Sequence, residues 1–297
     1  MGILLGLCAF MPALAAQDPS TQGRTWTADL AAIRQLATLV PGPYPLRVNV
    51  VKFAESRRTR NFSVKGAPRE PSVQARTAFQ VVYPNSRAVM IDSGMDLQTH
   101  RFFGRGVEEP YFPDVARTVE RAVSAASAVI MTHEHGDHVA GVIRTPAFAQ
   151  LAPKTVLTRA QVNTLLTNPQ MPEIRLTPEL AARFVVVDYD SYYPFAPGMV
   201  LIKAPGHTAG SQMIYVVLAS GKEFVFAGDV AWHMDGVRTI TGKDAPWIVE
   251  ETAPVMAELT WLKLLVGTEK NVTVVLSHDD EQRQALVAQK ILGDRLE

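Results

Sequence analysis

Thr132-His133-Glu134-His135-Gly136-Asp137-His138 places three histidines and an aspartate within six positions, directly behind the apolar run Ala128-Val129-Ile130-Met131. Neutral imidazole and carboxylate together suit Zn²⁺ and other borderline divalent ions. Desolvating four such side chains without partners would cost on the order of several kcal/mol. The chain holds only 7 histidines in 297 residues, so a surface loop that is His-rich by chance explains the crowding poorly. A strand ending at Met131 would aim His133 and His135 the same way, and Gly136 would turn the backbone. Asp137 and His138 would then face a second point a few ångströms off. One loop can feed two metals in this way and complete neither shell.

Three further segments supply ligand-type residues. Ala204-Pro205-Gly206-His207-Thr208-Ala209-Gly210-Ser211 follows the apolar Met199-Val200-Leu201-Ile202. Phe224-Val225-Phe226-Ala227 ends in Gly228-Asp229, and Val272 to Leu276 ends in Ser277-His278-Asp279. Each sets one candidate ligand just past a buried strand, at the rim where α/β folds build sites.

In these residues the chain resembles the metallo-β-lactamase-fold hydrolase superfamily, over about Asp92 to Glu281. The resemblance implies a dinuclear site with two Zn²⁺ ions per chain, or other divalent metals. Metal 1 would be held by His133, His135 and His207, and metal 2 by Asp137, His138 and His278, with Asp229 bridging. Such a pair makes hydroxide available at neutral pH, and Asp137 or Asp229 would accept and return a proton. No side-chain nucleophile is needed. Asp92-Ser93-Gly94 resembles the family's Asp-x-Gly turn, where Asp92 either orients ligands or is a plain turn aspartate.

The Ser277-His278-Asp279-Asp280-Glu281-Gln282 ending is similar to that of the N-acyl-homoserine lactone lactonases, so the expected substrate is a small lactone or ester. One residue departs from them: where those enzymes often carry a tyrosine three residues after the bridging aspartate, this chain has Trp232, followed by His233. Both are expected to form pocket wall. Other readings are a β-lactamase, a glyoxalase II-like thioesterase, or a non-catalytic metal-binding module on the same fold. Class B β-lactamases lack the bridging aspartate, and glyoxalase II-like enzymes usually add a C-terminal glutathione-binding region.

The elements that must position these residues alternate between strand and helix. Leu46 to Phe53, Thr77 to Val82 and Ala88 to Ile91 read as strands, Pro113 to Ala126 as an amphipathic helix and Ala128 to Met131 as the strand feeding the His-rich loop. A helix is expected from Ala140. Thr155 to Leu157, Phe184 to Asp188, Met199 to Lys203, Gln212 to Leu218, Glu223 to Ala227 and Val272 to Leu276 read as strands, with helices over Val249 to Leu265 and Glu281 to Leu292. The basic stretch Ser56 to Gln74 reads as a solvated loop, the alternative being an anion-steering lip over the site; His100 reads as a surface histidine, the alternative being part of a substrate-contacting loop; and Tyr189 to Pro197 reads as a turn-rich link. The alternation predicts an α/β fold, a four-layer αβ/βα sandwich of two mixed β-sheets.

Acidic and basic residues balance at 29 each, which argues against a nucleic-acid partner. Residues 1–16 are apolar, uncharged and end in Ala13-Leu14-Ala15, a pattern that reads as a signal peptide for a periplasmic or secreted protein, with no stable membrane insertion after its cleavage. The polar segment 17–24 is expected to be disordered and 25–297 to form one hydrolase domain. The one cysteine, Cys8, falls in that leader, so no disulfide or thiolate ligand is expected in the mature chain.

Overall fold

Most of the strands are short and apolar throughout rather than alternating, as expected where both faces of a sheet are covered. In the computed structural model, which describes residues 25–297, they form two sheets. The expected leader and the polar segment 17–24 lie outside the described residues.

The first sheet runs β1 (Arg47–Thr59), β2 (Pro71–Val82), β3 (Ala88–Ile91), β4 (Ala128–Ile130), β5 (Thr155–Thr158), β6 (Val185–Val187). Its first three strands pair antiparallel and the rest parallel. The second runs β11 (Val272–Val275), β10 (Glu223–Phe226), β9 (Gln212–Val217), β8 (Met199–Lys203), β7 (Tyr192–Ala196). Only β10 and β11 are parallel there. The expectation of two mixed sheets is therefore met.

Between the sheets lies a core built from Val48, Val50, Phe79, Ile91 and Ile130 on one side and Met199, Leu201, Ile214, Phe224 and Phe226 on the other. Phe79 and Phe226 meet edge to face across it at 5.1 Å. The outer face of the first sheet is covered by α4 (Pro113–Ala125), α5 (Gly136–Ile143), α6 (Phe148–Leu151) and α7 (Arg159–Thr167). The outer face of the second is covered by α1 (Leu30–Leu36), α9 (Met234–Thr239) and α10 (Thr252–Thr268). Helix, sheet, sheet, helix is the expected four-layer sandwich. In α4, Pro113 occupies the first turn, where its missing N–H costs nothing, and Val119 and Val123 face inward.

Four local expectations need correction. Ser56 to Gln74 is not a solvated loop: β1 and β2 run on as a long hairpin, paired out to Thr59↔Pro71 and joined through α2 (Arg60–Ser63). The basic residues there are tolerated in strands because they find carboxylates, as Arg58 does with Glu109. His100 is buried, because α3 (Leu97–Gly104), capped by Asp96, turns it inward to donate from Nε2 to the Glu109 carbonyl at 3.2 Å. Tyr192–Ala196 forms the edge strand β7 rather than a turn, where Pro194 is tolerated. The helix expected from Ala140 starts four residues earlier, at Gly136, within the His-rich motif itself.

Candidate metal centre

Every candidate ligand sits just past the carboxyl end of a strand. His133 and His135 follow β4, His207 lies on the turn between β8 and β9, Asp229 follows β10 and His278 follows β11. Asp137 and His138 occupy the first turn of α5, where a carboxylate also faces the positive end of the helix. The strand rims converge because the two sheets are tied together there. Gln212 donates its backbone N–H to the Thr132 carbonyl at 2.9 Å, and Ala75 donates its N–H to the His278 carbonyl at 2.9 Å. Thr77 Oγ1 donates to the Ser277 carbonyl at 2.7 Å.

All seven residues come together. His133 Nε2 and His207 Nε2 each lie 3.1 Å from His135 Nδ1. Asp229 Oδ2 lies 3.9 Å from His133 Nε2 and 3.7 Å from His207 Nε2. On the other side, Asp229 Oδ1 is 3.0 Å from His278 Nε2 and 3.4 Å from His138 Nε2. Asp137 Oδ2 completes that second group, 3.5 Å from His278 Nε2 and 3.6 Å from His138 Nε2. Asp229 thus lies between the two groups: Oδ1 faces only the second, while Oδ2 faces the first and is also 3.1 Å from His278 Nε2.

The donor set fits a divalent ion. Two atoms bound at zinc–nitrogen distance in a tetrahedron are about 3.3 Å apart, close to the spacing already present around His135. His138 Nε2 and Asp229 Oδ1 are buried polar atoms with no hydrogen-bond partner, a costly state that a cation between them would relieve.

The partners of the ligands leave the inward-facing atoms free. His138 donates from Nδ1 to Asp92 Oδ2 at 2.7 Å, so Asp92 is an orienting residue and not a plain turn aspartate. Thr132 fixes Asp92 in turn through its N–H and Oγ1. His207 donates from Nδ1 to Glu250 Oε2 at 3.0 Å, and His278 from Nδ1 to the Ala75 carbonyl at 2.6 Å. Each bond makes Nδ1 the outward donor and turns Nε2 inward, toward the centre.

Burial pushes the His133 and His135 rings down, His135 to about 3, so both are neutral at physiological pH. Burial acts the same way on His138, but the carboxylates of Asp92, Asp137 and Asp229 outweigh it and raise that ring to about 10. Burial favours the neutral acid of Asp137, while His138, Arg76 and His278 oppose it and hold the carboxyl at about 2. Without metal, negative charge at the centre thus holds a proton on His138 that a bound cation would replace.

A narrow, partly open cleft leads to the cluster, lined by His135, Asp137, Asp229, Trp232, Trp247 and Phe103 among others. Trp232 is the expected wall residue and also donates from Nε1 to Asp229 Oδ2 at 2.8 Å. His233 is not part of that wall: it caps α9, accepting from the Asp235 N–H, and contacts Arg60. Asp279 and Gln282, part of the lactonase-like ending, hold backbone: Asp279 accepts from Met234 and Gln282 N–H groups, and Gln282 bonds Leu276 and Val274.

Several residues of the centre escaped the sequence reading. Arg76 on β2 donates to Asp137 Oδ2 at 2.6 Å. Glu134 ties the His-rich loop to the His207 turn through Thr208 Oγ1 at 2.8 Å. Lys243 is buried and donates to the Asp229 carbonyl at 2.6 Å. Period-two alternation of Gln74 and Arg76 along an extended β2 was an available signal for Arg76; nothing near Lys243 or Glu250 in sequence marks them.

The metallo-beta-lactamase superfamily model matches residues 77–278. No curated protein matches the chain in sequence. Among solved structures, a mutant of the B. thuringiensis protein AiiA with N-decanoyl-L-homoserine bound at the active site aligns at 15% identity and a TM-score of 0.64, over 82% of this chain and 96% of that one. AidC, a dizinc quorum-quenching lactonase in complex with its product, aligns at 12% identity and 0.58, over 80% and 91%. A probable metal-dependent hydrolase from Staphylococcus aureus aligns at 13% identity and 0.60, over 81% and 91%. The chain belongs to the metallo-beta-lactamase superfamily. With its fold and His/Asp cluster, that membership defines a metal-dependent hydrolase.

Proposed function

We propose that this chain is a dinuclear zinc hydrolase acting on a lactone or ester. Water adds to the carbonyl carbon, the acyl C–O bond breaks, and a carboxylic acid and an alcohol result. The observation that carries the reading is Asp229, whose carboxylate lies between two separate ligand groups, within 3.7 Å of His207 Nε2 on one side and 3.0 Å of His278 Nε2 on the other. His133, His135 and His207 would hold one ion, Asp137, His138 and His278 the other, and Asp229 would bridge. Bound there, zinc supplies Lewis acidity and hydroxide at neutral pH.

The chain's own groups do the rest. Arg76 fixes Asp137 through Oδ2, and Asp137 lines the cleft, so its carboxylate can take a proton from water and return it to the leaving oxygen. Trp232 orients Asp229 and, with Phe103 and Trp247, walls the cleft against bulk water. The lactone is favoured by the likeness to solved lactonases, one with N-decanoyl-L-homoserine bound.

The test is metal analysis of the purified protein, with assays on acyl-homoserine lactones, aryl esters and a cephalosporin. About two zinc ions per chain with lactone or ester turnover is expected from a dinuclear site. Fast cephalosporin turnover without lactone or ester cleavage overturns the substrate reading. Bound metal with no hydrolysis across the panel favours a non-catalytic module.

A further inference from the structure

Three guanidinium groups, Arg58, Arg76 and Arg105, line the cleft that holds His135, Asp137 and Asp229. Two of them are neutralised in place: Arg58 pairs with Glu109, and Arg76 with Asp137. Arg105 has no carboxylate within ion-pair distance among the described residues, and its side chain contributes no hydrogen bond to them. Instead its Cζ lies 4.6 Å from the Trp247 ring centroid, with Arg58 Cζ 5.9 Å from the same ring. Arg76 is 8% exposed, yet its Nε is buried and unpartnered.

Arg105 is solvent-exposed at the mouth of the cleft, so its unpaired charge is hydrated there and open to an incoming anion. Partial burial and the neighbouring Arg58 cation both act against the charged form of Arg105. Arg105 also closes α3 in the left-handed region, at φ 53°, a position glycine fills at lower cost. A cation held on an indole face is fixed in direction while its donors stay free, and the guanidinium fork matches an oxyanion bidentately. The surplus charge therefore faces a cleft that ends at the metal centre.

We propose that the substrate carries an oxyanionic group, a carboxylate or a phosphate, received by Arg105 beside Trp247 while the scissile carbonyl reaches the His/Asp cluster. The inference rests on the hydrolase reading above and deepens it: neutral lactones and esters would be poorer substrates than acids of the same length.

Zinc-loaded full-length protein should be assayed on 4-nitrophenyl esters of equal acyl length ending in methyl, carboxylate, phosphate or ammonium. One or both anionic ends should exceed the methyl end in kcat/KM by about tenfold, and the ammonium end should fall below it. The carboxylate and phosphate arms decide which oxyanion is preferred. In Arg105→Ala the anionic-to-methyl ratio should shrink to about two, a loss of most of the tenfold factor. Arg105→Glu should invert the order of the carboxylate and ammonium ends. A second readout needs no turnover: calorimetric titration of glutarate into wild type and Arg105→Ala of equal zinc content should show about tenfold weaker binding to the variant. Equal kcat/KM for all four ends in an active enzyme overturns the anion site and leaves the hydrolase reading standing. If no ester is cleaved but glutarate binding still depends on Arg105, the hydrolase reading fails and the anion site survives. Glutarate binding that does not depend on Arg105 overturns the anion site.

Discussion

His207 is gripped from behind by a carboxylate that has its own cation. Burial pushes the Glu250 carboxyl up, but the contacts with His207 and Lys243 more than offset it, so it stays ionised. Lys243 Nζ lies 2.9 Å from Glu250 Oε2 and also holds the Asp229 carbonyl, linking the supports of two ligands. Removing such an orienting partner typically weakens metal binding 10–100-fold, and Glu250→Ala should lower zinc affinity by about that factor in chelator competition. A nearby carboxyl behaves oppositely. Burial raises Glu258 to about 8; its Oε1 accepts from the Gly206 N–H and its Oε2 has no partner. Its folded pKa lies above the unfolded value near 4.5, so its contribution to stability is complete below pH 4.5 and is lost as pH rises through 8. Glu258→Gln keeps the acceptor without the charge. The variant should therefore gain on wild type between pH 5 and 8, by on the order of a kcal/mol or more, in denaturant unfolding of the metal-loaded protein.

The helix that carries Asp137 and His138 is held by how closely it approaches the turn after β3. Ser93 donates both its N–H and its Oγ to the His138 carbonyl, at 2.9 and 2.8 Å. A Cβ on Gly141 would sit 2.1 Å from the Ser93 carbonyl oxygen, so only glycine permits this seat. Gly141→Ala should force α5 away from Asp92. It should cost about 1–3 kcal/mol by thermal or denaturant unfolding, the usual range for overpacking, and weaken zinc binding through the His138–Asp92 bond. Periodicity and the cap and turn residues made most elements legible: the apolar runs of β4, β8, β9, β10 and β11 and the inward leucines of α10 follow the expected spans. The failures have one cause. The β1–β2 arms and the buried His100 are polar segments stabilised by distant partners, Glu109 above all, and local pattern cannot register a partner far along the chain.

For the molecule as a whole, the centre exists only while the two sheets are closed on each other. The ligands come from β4 and α5 in one half and from the ends of β8, β10 and β11 in the other. An ion bound across that seam favours the folded state alone and adds RT ln(1 + [L]/Kd), about 2.7 kcal/mol at a hundredfold excess over Kd. Stripping metal with a chelator should therefore abolish hydrolysis and lower Tm, and added zinc should restore both. In Asp229→Asn the zinc-induced rise in Tm should shrink markedly, because a neutral amide cannot serve as a shared anionic ligand.

The identity of the seven ligand-type residues, their order and the strand preceding each group were readable from residue type and apolar pattern alone, because both are local properties of the chain. So was the alternation that demands a layered α/β fold. The supports were not: Arg76 against Asp137, Lys243 beneath Asp229, Glu250 behind His207 and the unpaired Arg105 over Trp247 are all pairings made by the packing of the two halves. A charged side chain carries no mark of the partner it will meet. Its role is set by which buried group lies within hydrogen-bond reach after the sheets close, and by how little water is left there to screen it.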